Sequence, residues 1–339
     1  MGRASATLAS CAGAHANYDA AIAYARFALD VADEVDDAEL RIAASHLLGV
    51  CLEARGEYGS AVRFLEAVVD GNHADVAHRR LGLVLPPYIF DNGFLGIAHG
   101  FTGRFAAAKG HSLRAVRTAD EYDHPGAQTF AYTLYASLLA MQGEFDEAGV
   151  WAERAVTLGE RNGVFAFVSS ARVVLGWVCA WTGRVAEGIE YLEQAIAFEE
   201  QVGLKMHAPT HYERLGEALM LGGDLQRARE IALKACTLAE ELGEQGSRAE
   251  ALRLLGDVAR AAGDHAGASE HYDTAERMAR ELGMSPLIAH VYAGRAALAA
   301  TAGHDAEWRR HSEQARMMYD EMGMRFWIST LDRAVTPSP

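Results

Sequence analysis

Residues 255–283, LGDVARAAGDHAGASEHYDTAERMARELG, hold two glycines that punctuate a helical pattern and, between them, a spaced set of alanines around a tyrosine. Each glycine belongs to a series with a forty-residue period. Gly103, Gly143, Gly183, Gly223, Gly263 and Gly303 form one series, and Gly163, Gly203, Gly243, Gly283 and Gly323 form the other. Successive members are separated by helical patterns of roughly 18 residues, about 27 Å long at 1.5 Å rise per residue. Glycine reaches the left-handed conformation of a helix C-cap without a Cβ clash, so each glycine marks a helix end. The first series separates helix A from helix B inside a repeat, and the second separates one repeat from the next. Self-similarity at such a period is the signature of a solenoid. The spacing predicts an all-α, right-handed superhelix, an α-solenoid of eight helix pairs.

Working outward, the repeats fall at about 1–36, 38–71, 73–123, 124–163, 164–203, 204–243, 244–283 and 284–323. A capping helix over 324–334 and a disordered tail at 335–339 complete the expected organisation. Gly56 precedes Gly103 by 47 residues, which places a seven-residue insertion around Leu85-Pro86-Pro87. Ala16-Asn17-Tyr18 stands forty residues before Gly56-Glu57-Tyr58 and supplies the first repeat. Leu-Gly recurs in helix A at Leu48-Gly49, Leu95-Gly96, Leu175-Gly176, Leu215-Gly216 and Leu255-Gly256, and alanines recur in helix B, as at Ala268 and Ala275 around Tyr272. Small residues at fixed places let helices approach closely. The large-Gly and Ala-aromatic-Ala pattern resembles the tetratricopeptide consensus. In the last repeat Arg295-Ala296 replaces Leu-Gly and Trp308 replaces an alanine, so a modified end to the stack is expected.

Composition limits the function classes. Half of the 339 residues are apolar, and the net charge of -15 lacks the basic footprint that phosphate backbones require, so no nucleic-acid partner is expected. The four cysteines show no Cys-x-x-Cys spacing and suit a reducing compartment. With no signal-like segment and no long uncharged apolar run, the expectation is a cytoplasmic protein with no membrane partner.

Further stretches carry a finer likeness. Glu281-Leu282-Gly283-Met284-Ser285-Pro286-Leu287-Ile288-Ala289-His290, Met318-Tyr319-Asp320-Glu321-Met322-Gly323-Met324-Arg325-Phe326-Trp327 and Trp181-Thr182-Gly183-Arg184-Val185-Ala186-Glu187 resemble the C-terminal repeat region of bacterial signalling proteins that join a class III adenylate/guanylate cyclase to a STAND-type ATPase. The resemblance covers about residues 80–332 and implies a sensor or interaction arm in signalling or transcriptional regulation. The phosphate-cradling G-x-x-x-x-G-K-[ST] loop is absent from the sequence, so nucleotide chemistry is not carried over.

No catalytic set emerges from spacing, and neither an enzyme activity nor a cofactor is expected. His207 and His211, four apart at the start of a helix A, could face one way, but a third metal ligand is lacking. The groove offers more. Helix A positions around the Leu-Gly pair line the concave wall of such arrays, and here they carry Phe90, Ile97, Phe101, Phe130, Met141, Trp177 and Trp181, then Glu213, Glu217, Arg253, Asp257 and Arg260. An aromatic stretch thus runs into a charged one, the composition of a surface that anchors a peptide or protein partner. His99 stands where neighbouring repeats carry Leu or Cys, and supports the competing expectation of a small-molecule pocket, even an enzymatic one, beneath the Pro86-Pro87 insertion. A homo-oligomer through an exposed terminal repeat is a third arrangement.

Overall fold

The computed structural model describes residues 1–70 and 77–335. Eight helix pairs and a closing helix follow one another among them. The pairs are α1 (Gly2–Ala14) with α2 (Tyr18–Glu34), α3 (Ala38–Ala54) with α4 (Tyr58–Val69), α5 (Pro87–Phe101) with α6 (Phe105–Tyr122), and α7 (Pro125–Gln142) with α8 (Phe145–Arg161). Then come α9 (Phe165–Trp181) with α10 (Val185–Val202), α11 (Ala208–Leu221) with α12 (Leu225–Leu242), α13 (Gln245–Ala261) with α14 (His265–Leu282), and α15 (Ser285–Thr301) with α16 (Asp305–Glu321). The closing helix is α17 (Arg325–Val335). No strand occurs among the described residues.

Every glycine of the two series has a positive φ, between 69° and 93°, which is the left-handed cap the spacing required. Where a series lacks its glycine, Ala16 (φ 56°) and Asp123 (φ 48°) take the same conformation. Several helices start on a side-chain cap: Asn17, Asp37, Asp224 and Asp264 each accept from a backbone N–H three residues on, satisfying an otherwise orphaned donor.

The small residues inside the helices have a direct packing reason. Tyr272 is fully buried and its ring passes between Gly256 and Gly294: a Cβ on either glycine would come within 2.6 Å of it. At Gly176 and Gly188 the α9 and α10 backbones touch, since a Cβ on either would lie 2.7 or 2.5 Å from the other's carbonyl oxygen. The helix B alanines Ala228, Ala268 and Ala275 are fully buried in the same way.

The insertion falls between α4 and α5. The helix B α4 stops after 12 residues, where the other helices B run to 17 or 18, and α5 begins at Pro87. Proline is tolerated at a helix start and disfavours helix in the residue before it, so the extra chain lies ahead of Pro87. The segment 71–76 and the tail 336–339 lie outside the described residues, and with them the start of the third repeat and most of the expected tail.

The superhelix closes on itself. The turn between α3 and α4 meets the start of α13, where the Gln245 N–H donates to the Arg55 carbonyl at 3.2 Å, and Gly56 lies against Gly246. Tyr18 donates to Glu244 across the same seam at 2.6 Å. Gly103 packs on Met322 and Ser285, and Gly143 on Phe326 and Trp327. The Arg55–Gln245 and Gly103–Ser285 contacts join a repeat to the one five places later, and Tyr18–Glu244 spans six, so about five to six repeats complete a turn. The concave groove has become a bore.

Candidate functional site

Two adjoining cavities occupy this bore. The first, about 300 Å³, is walled by the first three-quarters of α5, α7, α9 and α11, including Phe90, Phe94, Ile97, Phe130, Phe167 and Val174. The second, about 210 Å³, lies at the far ends of those helices and is completed by α13, α15 and α17, with Trp181, Asp257, Arg260, His290 and Trp327 on its wall. Phe101, Met141, Trp177 and Arg214 belong to both walls and form the partition.

The first chamber is held open by aromatic packing. Phe90 meets Phe130 edge-on at 4.3 Å between centroids, and Phe130 meets Phe167 in the same way at 5.8 Å, the arrangement ring quadrupoles favour. Glu53 on the chamber wall is buried with Oε2 lacking a hydrogen bond and only His207 Nε2 nearby, at 3.7 Å. Burial, reinforced by Glu244, pushes its carboxyl up to about 8.

Charges in the second chamber pair with one another. Arg253 donates to Asp257 at 2.6 Å, to Glu213 at 2.8 Å and to Glu217. Arg214 pairs with Glu213 at 3.0 Å, Glu217 at 3.5 Å and Glu250 at 3.7 Å, while its guanidinium lies 3.7 Å over the Trp177 ring. Trp177 in turn donates Nε1–H to Glu217 at 2.6 Å, and Tyr272 donates to Asp257 at 2.6 Å. Burial pushes the Glu213 carboxyl up. Glu217 is as deeply buried, but Arg253 and Arg214 outweigh that burial and hold it at about 2. Burial, with Arg253 adding to it, takes His290 down to about 3, so its neutral ring shares a 2.8 Å hydrogen bond with the Tyr319 hydroxyl.

Of the residues singled out from the sequence, the structure brings Phe90, Ile97, Phe101, Phe130, Met141, Trp177, Trp181, Glu217, Arg253, Asp257 and Arg260 onto the bore. Glu213 stands behind the wall as a partner of Arg253. His99 lines neither chamber: its ring stacks on His111 of α6 at 5.5 Å, with Nδ1 unpartnered. His207 precedes α11 at φ 60° and so does not share a helix face with His211, which pairs with Glu199 at 2.7 Å. Among the described residues no cluster of three or more His, Cys, Asp or Glu could hold a metal ion. Among the missed residues, Phe94, Leu134, Val174 and Arg214 all stand one residue before the Leu-Gly position of their repeat, while Phe167, Glu250, His290 and Trp327 stand elsewhere. A periodicity of 3.6 puts that position on the inner face, so the signal was there.

The family model for the tetratricopeptide repeat matches residues 207–281. Solved structures extend the likeness over nearly the whole chain. The crystal structure of a Rap protein complexed with Competence and Sporulation Factor aligns with a TM-score of 0.64 over 97% of this chain and 95% of that one, at 12% identity. The fold is a tetratricopeptide-type solenoid. A second tetratricopeptide-like neighbour, the Rap conjugation gene regulator of the plasmid pLS20 in complex with the Phr* peptide, aligns with a TM-score of 0.63 over 88% and 79% of the two chains, at 13% identity. A third, from the APC/C hetero-tetramer Cut9-Hcn1, gives 0.58 over 97% and 54%, at 16% identity. No curated protein matches the chain in sequence. These matches carry the tetratricopeptide repeat and do not extend to the finer likeness to cyclase and ATPase signalling proteins. No helix among the described residues is long and apolar enough to cross a membrane.

Proposed function

We propose that this chain is a non-catalytic sensor module, acting in cytoplasmic signalling or transcriptional control in a bacterium, that captures a short peptide inside the bore of its superhelix. The observation that carries the reading is the two-part chamber, aromatic at one end and charged at the other, walled by successive helices A. Such a wall is already in place before a ligand arrives, which lowers the ordering cost of binding. From Phe90 to Phe101 along α5 is about 16 Å at 1.5 Å per residue, the reach of roughly five extended residues. Two neighbours of the same fold are complexes, one with Competence and Sporulation Factor and one with the Phr* peptide, by their own descriptions. A small apolar effector is the second reading, supported by the aromatic chamber taken alone; His99 has no part in it.

Ser170 lines the aromatic chamber and makes the test clean, because Ser170→Phe fills space without removing a contact. Affinity selection from a random pentapeptide pool, read by mass spectrometry, is expected to yield bound peptides with the native chain and at least tenfold fewer with Ser170→Phe. Equal recovery by both proteins would exclude the bore as the binding site. The tryptophan pair Trp177→Ala, Trp181→Ala should lose capture as well.

A further inference from the structure

The charges around the aromatic chamber do not balance. Glu53, near the end of α3, lines the chamber, is 2% exposed and leaves its Oε2 without a hydrogen bond. His207 Nε2 stands 3.7 Å from that oxygen, and the His207 ring stacks near Phe94, with 6.4 Å between centroids. A buried carboxyl oxygen with no donor is costly to keep, so this corner of the chamber is short of one partner.

The cations nearest the chamber are already engaged. Arg214 is taken up by Glu213, Glu217 and Glu250. His211 pairs with Glu199 at 2.7 Å, and although burial disfavours its charge, that carboxylate holds its pKa above the ordinary value. Glu53 and Glu244 remain. Glu244 accepts from the neutral donors Tyr18, Ser247 and the His207 N–H, and no Lys or Arg pairs with either carboxyl among the described residues. The titratable groups whose charges reach Glu53 are Tyr18 on α2, Tyr58 on α4, His207 ahead of α11 and Glu244 ahead of α13. None of them supplies a cation near neutral pH. Burial holds both tyrosines above their ordinary value and takes His207 down to about 4. Two carboxyls thus stand close together with no positive charge of their own.

The rest of the wall limits the guest. Phe90, Ile97, Phe130, Phe167 and Val174 favour an apolar body, and aromatic faces attract an ammonium group. An anion would be repelled by Glu53 and Glu244, and an uncharged hydrocarbon would leave Oε2 unpaired. A dry cavity of about 150 Å³ takes benzene. One of about 300 Å³ therefore suits a body of roughly ten to twelve non-hydrogen atoms.

Resting on the small-effector reading of this chamber, we propose that its ligand is an apolar monoamine, with the ammonium group paired to the Glu53 carboxylate and the hydrocarbon body lodged among the phenylalanines. As the pair forms, the Glu53 proton leaves to solvent and the amine keeps its own. Glu53 is then the residue that selects the head group, and the phenylalanines select the body.

The test is calorimetric titration of the intact chain near neutral pH with phenylbutylamine, phenylbutanol and phenylbutyrate, which share one body and differ in the head group. The native chain is expected to bind the amine about tenfold more tightly than the alcohol, the worth of one charge-assisted hydrogen bond, and the acid least. Burial, reinforced by Glu244, pushes Glu53 up to about 8, so titrations in two buffers of different ionisation heat should show about one proton released per amine bound. Glu53→Gln should bring the amine down to the level of the alcohol and abolish the proton release. Its alcohol binding should stay unchanged, which separates loss of the counter-ion from loss of the fold. Ser170→Phe should abolish binding of the amine, and retention by that variant would put the amine outside the chamber and overturn the proposal. Equal binding of amine and alcohol by the native chain, a preference for the acid, or an amine preference that survives in Glu53→Gln also overturns it, and leaves the small-effector reading standing. Binding of none of the three compounds overturns both.

Discussion

In the first chamber the positions facing the bore carry Phe90, Phe94, Phe130 and Val174, which cannot neutralise one another and so leave a lined space. In the second, other inner-face positions of later repeats carry Glu213, Glu217, Arg253 and Asp257, and these close upon themselves: Trp177 bonds Glu217 and Glu213 bonds Arg253, each pair forty residues apart. One ruler therefore builds two different things. Apolar side chains on the inner face keep a cavity available for a guest, whereas opposite charges on that face become each other's guests. Most of the charged half of the expected binding surface is thus structural, and Arg260, hydrogen-bonded to Tyr272, forms no ion pair among the described residues.

The largest effect should come from breaking that mutual pairing. Arg253→Met leaves Glu213, Glu217 and Asp257 facing one another without their common cation, and should cost about 3–5 kcal/mol, as removal of one partner from a buried charge network does. Phe90→Ala on the aromatic wall, where the side chain is only partly buried, should cost about 1–2 kcal/mol. Chemical denaturation of both variants compares the two halves directly. An equal loss would show that the charged positions are no more structural than the aromatic ones. Adding Glu213→Gln to Arg253→Met should recover part of the stability.

A smaller contrast lies in two buried carboxylates that titrate in opposite directions. Glu53 beside the aromatic chamber has its pKa raised from 4.5 to about 8. Below about pH 4.5 both folded and unfolded chains hold that proton, so Glu53 is neutral to stability. Between 4.5 and 8 unfolding releases it, and stability falls as the pH rises. Glu217, lowered from 4.5 to about 2, contributes stability above 4.5 that is lost as the pH falls towards 2. Melting curves from pH 5 to 8 should therefore show Glu53→Gln gaining on the native chain, by on the order of 2 kcal/mol at pH 8. Glu217→Gln should remain below it throughout that range. A flat difference for Glu53→Gln would mean that the carboxyl is ionised in the fold.

What the sequence disclosed follows from the range of each interaction. Helix ends were legible because a left-handed cap is a local demand that glycine alone meets without strain, and the forty-residue series repeats it. The inner-face aromatics were legible from the same period. Closure of the bore was not, because the contact of Arg55 with Gln245 depends on a small rotation per repeat accumulated over five repeats, and no single residue encodes that sum. The mutual pairing of Glu213, Glu217, Arg253 and Asp257 was hidden for a related reason. Spacing shows that these residues share a wall, but whether they bind each other or a ligand depends on distances across neighbouring helices. His99 misled because a polar residue in an apolar row identifies an unusual site without telling which side of the helix its partner occupies; that partner is His111, in the paired helix B.

The smallest effect concerns what flanks each chamber. The wall of the charged chamber is completed by α17 through the aromatic contacts of Trp327 with Trp181 and Phe145, at 4.9 and 5.9 Å. Beside the aromatic chamber the seam is held by polar contacts, with Glu244 accepting from Tyr18, from Ser247 at 3.0 Å and from the His207 N–H at 3.2 Å. Tyr18→Phe removes one of three donors and leaves the carboxylate with two, so it should cost only about 0.5–1.5 kcal/mol. The loss should be local, because the seam joins two stretches of chain more than two hundred residues apart that are otherwise held within their own repeats. Hydrogen exchange is then expected to quicken at residues 244–250 and around the turn at Gly56, with the partition near Trp177 unchanged. Uniform acceleration along the chain would instead mean that the seam is part of one cooperative unit with both chambers, and that the aromatic end opens no more readily than the charged one.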